Sequence, residues 1–110
     1  MGATAIVAET SSFDGLYKPS GAEFENWDCK TVGEDRGAFE IDGNVVISLE
    51  RYCTLSNPVN VSRMSAVLFD AECAVEGTEY AERIMLMPSN IGVFHVTDNF
   101  VAEWQRCETK

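Results

Sequence analysis

The chain has 110 residues, 45% of them hydrophobic, with two Trp, three Tyr and six Phe, which is enough for one compact core and too little for two domains. Eighteen acidic against eight basic residues give a net charge of −10. That balance disfavours nucleic acid and anionic membrane surfaces and favours a cationic partner, and no apolar run approaches the roughly 20 residues of a membrane-spanning helix.

Residues 1–11 read as a flexible N-terminus. Ala3 to Ala8 resembles the end of an apolar leader with an A-x-A-like cleavage site, so a leader remnant is one expectation and an ordinary first strand the other. Residues 12–110 read as a single β domain. Phe13–Tyr17 starts it, and Lys18-Pro-Ser-Gly21 breaks the run. Ser20 is placed to cap a short helical turn over Ala22–Trp27, with Glu23 reaching back. Val32–Gly37 is charged and loop-like.

Ala38–Cys53 is the clearest stretch. Asp42-Gly43 between apolar runs is a strong hairpin signal, because Asp tolerates and Gly freely allows the positive φ of a two-residue turn. Val45, Ile47 and Leu49 alternate with Val46 and Ser48, the period of a pleated strand. Thr54–Asn60, containing Asn57-Pro58, reads as a turn. Val61–Cys73 reads as a strand with Val67, Phe69, Ala71 and Cys73 on one face. Glu76-Gly77 is a second hairpin turn. Tyr80–Met87 places Ile84 and Leu86 on one side and Arg83, Met85 and Met87 on the other. Turns at Pro88–Asn90 and Asp98-Asn99 bracket a strand over Ile91–Thr97. In Phe100–Cys107, Phe100, Ala102 and Trp104 alternate with Val101, Glu103 and Gln105. Six to seven strands with a turn about every ten residues predict an all-β antiparallel meander, closing into a small barrel or a strongly bent sheet.

Cys29, Cys53, Cys73 and Cys107 are widely spread, without the close pairs of a zinc knuckle or a thioredoxin-like redox motif. Two structural disulfides are expected, and with them an oxidising compartment, periplasmic or secreted. Four cysteines allow three pairings. If Ile41 pairs with Asn44, the hairpin register places Cys53 opposite Val32 and within reach of Cys29. Cys29–Cys53 is therefore the first expected bridge, and barrel closure makes Cys73–Cys107 the second. Each would contribute on the order of 3 kcal/mol.

Glu50-Arg-Tyr-Cys53, Cys73-Ala-Val-Glu-Gly77 and Trp104-Gln-Arg-Cys107, with Asp14-Gly-Leu-Tyr17 before them, resemble the pattern of a loose class of small exported bacterial β-proteins with four cysteines. The resemblance spans about 95 residues and implies fold, export and cysteine pairing; it carries no activity. The acidic insert between Tyr17 and Cys29 departs from that pattern.

His95 is the sole histidine. No serine lies in a nucleophile-elbow pattern and the cysteines are expected to be bridged, so neither a serine nor a cysteine catalytic site is built on it. No carboxylate pair stands out as a glycosidase pair. The reading is not an enzyme, with no cofactor. The candidate metal set is Met85, Met87 and His95. If Pro88 faces Gly92, His95 falls opposite Met85 on one face, and two thioethers with an imidazole suit Cu(I) or Ag(I). The Met-x-Met pattern is similar to periplasmic copper and silver carriers, which are also small barrels. Trp27, Tyr52, Tyr80 and Trp104 are candidates for a binding face or a barrel rim. The functional expectation is an exported binding domain, monomeric or weakly dimeric, for a protein or small ligand, with the charge favouring a cationic one; a sharper form is an inhibitor of a cationic secreted enzyme such as a lysozyme. The alternative is a Cu(I)/Ag(I) carrier.

Overall fold

The computed structural model describes residues 13–107; the expected N-terminal tail at 1–11 lies outside the described residues. Eight antiparallel strands follow one another around a closed barrel: β1 (Gly15–Pro19), β2 (Phe39–Asp42), β3 (Val45–Ser48), β4 (Arg51–Asn60), β5 (Val67–Val75), β6 (Thr78–Pro88), β7 (Gly92–Thr97) and β8 (Phe100–Arg106). β8 closes onto β1 through Tyr17↔Arg106, Lys18↔Gln105 and Pro19↔Trp104. The expected all-β barrel with two disulfides is present, with eight strands in place of six to seven.

The extra strand comes from one turn. The apolar run from Val45 to Cys53 does not continue as a single strand. It reverses at Leu49-Glu50, with Ser48 paired to Arg51. Glu50 takes a positive φ of 53°, a conformation usually signalled by Gly or Asn. The turn is held from outside, since Glu50 N–H donates to the carbonyl of Gly33 (2.9 Å). The loop Ser20–Ala38 thus supports a turn that its own residues do not announce.

This reversal overturns the expected disulfides. Cys53 runs back beside Val46 and onward along β5, where it is the direct cross-strand partner of Cys73. The bridges are Cys53–Cys73, with Cα atoms 4.0 Å apart, and Cys29–Cys107, at 5.9 Å. Neither Cys29–Cys53 nor Cys73–Cys107 forms. The hairpin register behind the first expectation also shifts: Ile41 pairs with Val46, not Asn44. Asp42 stays in β2, and the two-residue loop is Gly43-Asn44. Of the two, only Gly43 has positive φ (61°), and Asp14 Oδ1 accepts its N–H (2.8 Å).

The Asn57-Pro58 pair, expected to be a turn, lies inside β4. The register shifts between Ser56↔Asp70 and Val59↔Leu68, so Asn57 and Pro58 together oppose Phe69 as a bulge. A bulge tolerates proline because the extra residue leaves the ladder. The true connection is the next stretch, residues 61–66, where a strand was expected; Val61 N–H donates to Ala66 O there (2.9 Å). Near the start, Ala22–Phe24 forms a single 3-10 turn capped by Gly21 with no side-chain cap bond, so the expected Ser20 capping box does not form. The turns at Glu76-Gly77 and Asp98-Asn99 are where the residue types place them.

Alternation sends one face of each strand into the barrel. Tyr17, Ile41, Val46, Cys53, Val67, Phe69, Ile84, Leu86 and Val93 are fully buried there. Removing each large apolar side chain from water is worth about 1.5–3 kcal/mol, so this ring of side chains is what holds the barrel closed. Tyr17 O–H donates to Phe13 O (2.5 Å) and Arg106 stacks on its ring at 4.9 Å. Burial raises the phenol pKa, with Arg106 opposing.

Candidate functional site

Strand direction alternates, so the turns at 49–50, 76–77 and 98–99 share one end of the barrel with the end of β1 and the start of β2. Apolar filling stops short of that end. A cavity of about 520 Å³ opens there, floored and walled by Phe39, Arg51, His95, Ala102 and Trp104, with Leu49 and Phe100 at its rim. Leu49 is 47% and Phe100 60% exposed, so the rim is apolar and open. The volume lies within the roughly 300–1,000 Å³ of small-ligand sites, for which barrel mouths are a recurrent location.

The β7–β8 hairpin builds the floor. Asp98-Asn99 sets Thr97 opposite Phe100, which places His95 beside Ala102 and Val93 beside Trp104, all facing inward. His95 stacks on Trp104 with ring centroids 4.6 Å apart and planes inclined by 12°. The aromatic series continues through Phe39 (4.7 Å from Trp104) to Trp27 (5.4 Å from Phe39) and Phe24 (5.9 Å from Trp27). Of this series His95, Trp104 and Phe39 line the cavity, while Trp27 and Phe24 pack edge-on outward from Phe39.

His95 is 5% exposed and its Nδ1 has no hydrogen-bond partner. Burial first, and the nearby Arg51 charge second, lower its pKa from 6.5 to about 4; its own backbone pulls the other way without offsetting them. At neutral pH the imidazole is uncharged and keeps one nitrogen lone pair as an acceptor. Arg51, from the start of β4, is ion-paired to Glu82 of β6 and lies over the Tyr80 ring at 5.8 Å. Both ions are about a quarter exposed, so the pair sits at the wall of the barrel mouth. Its guanidinium charge is already matched, and among the described residues the cavity lining holds no other cation for an anionic ligand.

No family model matches this chain, no curated protein matches it, and no solved structure matches it.

The expected metal set is not assembled. Pro88 pairs with Val93, one residue beyond Gly92, so His95 opposes Leu86 while Met85 opposes Val96 and Met87 opposes Phe94. A one-residue slip moves a side chain to the other face of a sheet. His95 consequently points into the barrel with Leu86, and Met85 and Met87 lie on the outer wall. The slip has a visible cause in the turn: Ser89 Oγ accepts Gly92 N–H (2.9 Å), and Gly92 O accepts Ser89 N–H (3.0 Å). The described residues contain one cluster of three ligand-type side chains, Cys53, Cys73 and Glu82. Its two sulfurs are bonded to each other and its carboxylate is held by Arg51, so it offers no thiolate donor.

Of the four candidate aromatics, Trp104 lines the cavity, Trp27 packs edge-on against Phe39, Tyr80 lies under Arg51, and Tyr52 is exposed on the outer wall. Sequence reasoning missed Arg51 and Phe39. It also did not connect His95 with Trp104, although the Asp98-Asn99 turn and strand alternation contain that connection.

Proposed function

We propose that the chain is an exported binding protein, periplasmic or secreted, that takes a small, flat, largely apolar ligand into the barrel mouth. The observation that carries this reading is the open cavity lined by the stacked His95–Trp104 pair. Aromatic walls reward a planar ligand, because stacked rings gain about 0.5–1.5 kcal/mol beyond area burial. The matched Arg51–Glu82 pair and the net charge of −10 favour an uncharged or weakly cationic ligand. Two disulfides support an oxidising compartment. The test is a titration of indole and benzimidazole, followed by Trp fluorescence, against the native chain and Ala102→Phe. The variant fills the mouth without removing a core residue. Binding by the native chain that Ala102→Phe abolishes supports the reading; equal binding by both removes it.

The net charge favours a second reading, a cationic secreted protein as partner, including an enzyme that this chain inhibits. Salt-dependent association with basic hydrolases such as lysozymes tests it, and no association at low salt ends it.

A further inference from the structure

β6 is longer than the strand that covers it. It pairs with β5 from Thr78 to Leu86, but with β7 only from Met85 to Pro88. β7 ends at Thr97. From Thr78 to Ile84, one edge of β6 has no strand beside it among the described residues. The direction of its backbone groups follows from the turn. Val75 and Thr78 flank a two-residue loop, so they form the hydrogen-bonded pair. At period two, Thr78, Tyr80, Glu82 and Ile84 then bond to β5. The N–H and C=O groups of Glu79, Ala81 and Arg83 point to the open edge, in the same phase as Met85, which continues toward β7. No other backbone bond is made by these three residues among those that join turns and loops. Where β7 stops, a groove of about 600 Å³ opens along this edge, lined by Ala81, Arg83, Met85, Val96, Thr97 and Asp98.

We propose that this edge receives an extended segment of a cationic partner protein, which adds as a strand in line with β7. Main-chain hydrogen bonds supply the register of such an addition and alternate side chains its selectivity. The inference rests on the cationic-partner reading and is independent of the mouth cavity. Charge selects the occupant. Arg51 and Arg83 are already held by Glu82 and Asp70, whereas Glu72, Glu76, Glu79 and Asp98 around the edge form no ion pair among the described residues. Lysine or arginine on the incoming strand would meet these carboxylates. A second copy of the chain is disfavoured, because pairing two β6 edges brings together two bodies of charge −10 and like charges side by side oppose association.

The probe is a short blocked peptide of alternating lysine and valine, with an alternating glutamate and valine peptide as its control, titrated into the full chain by NMR. The lysine peptide is expected to bind and to protect the amides of Glu79, Ala81 and Arg83 from exchange, and the glutamate peptide to leave them unchanged. Ala81→Pro removes an edge donor that makes no bond within the barrel, so it is expected to fold and to weaken binding by about tenfold. N-methylation of the peptide at alternate positions provides a second test with the native protein: one phase abolishes binding and the other leaves it. Binding that is indifferent to both overturns the edge proposal. If basic hydrolases still associate in that case, the cationic-partner reading survives without it; if no cationic probe binds, both fall. Edge amides already protected in the free chain also overturn the proposal. Loss of that protection on dilution would assign the edge to a second copy, and loss on removing residues 1–12 would assign it to the chain itself.

Discussion

Replacing His95 by Phe should stabilise the barrel most strongly in acid. The native imidazole titrates at about 4 in the folded chain and at 6.5 when exposed, so the unfolded state binds the proton more readily. Its contribution to stability is then fully present above pH 6.5 and is lost as pH falls from there through 4. The loss amounts to about 2 kcal/mol by pH 5 and about 3 kcal/mol by pH 3.5. Phe is similar in size, stacks on Trp104, and removes the unpartnered Nδ1, which adds about 1–3 kcal/mol to the variant at all pH values. Urea unfolding of native and His95→Phe chains at pH 7, 5 and 3.5 measures both terms. Carboxylate titration is common to the two chains and cancels in the difference. The stability gap should widen by about 3 kcal/mol between pH 7 and 3.5. Parallel profiles would refute the claim that His95 is buried and uncharged.

Arg51→Met removes a positive charge beside His95, so the imidazole pKa should rise; a titration of the His95 ring resonances that shows no rise would separate Arg51 from the cavity. Non-reducing peptide mapping should return Cys29–Cys107 and Cys53–Cys73 alone. The sequence separations of 78 and 20 imply that the paired Cys→Ala variants lose about 4.5 and about 3 kcal/mol respectively in the chain-entropy account, and the reverse order in denaturant unfolding would contradict it. Gly92→Ala would drive a Cβ into the backbone of Trp104 and Arg106 and should cost more than about 3 kcal/mol. Gly77→Ala, at φ +83° with open space around it, should cost about 1 kcal/mol; thermal unfolding separates the two.

The legible parts of the fold are those in which local chemistry and tertiary context agree. Glu76-Gly77 and Asp98-Asn99 each carry a residue, Gly77 and Asn99, that readily accepts the positive φ it takes. Leu49-Glu50 carries no such residue. Its positive φ is fixed by a hydrogen bond to Gly33, a contact distant in sequence, and without that turn the path of Cys53 is misjudged. Asn57-Pro58 misleads in the opposite sense, because a bulge in a paired strand and a chain reversal use the same residue types. The site was half legible. Inward alternation of Phe100, Ala102 and Trp104, joined to the Asp98-Asn99 register, places His95 on their face. The competing register at Pro88 depended on Ser89 and Gly92 closing the turn one residue later, which the residue pattern did not distinguish. Arg51 was hidden altogether, since its inward orientation follows from the unannounced turn just before it.

The most direct test of the barrel mouth as the binding site is to map a bound aromatic fragment by NMR, following the Trp104 indole, the His95 imidazole and the Arg51 guanidinium together with the backbone amides. The account predicts shifts concentrated at these three side chains and at Phe39 and Ala102, with the outer-wall residues Leu68, Met85 and Val96 unmoved. Shifts confined to the outer wall, or none at the mouth at concentrations that perturb other sites, would contradict it.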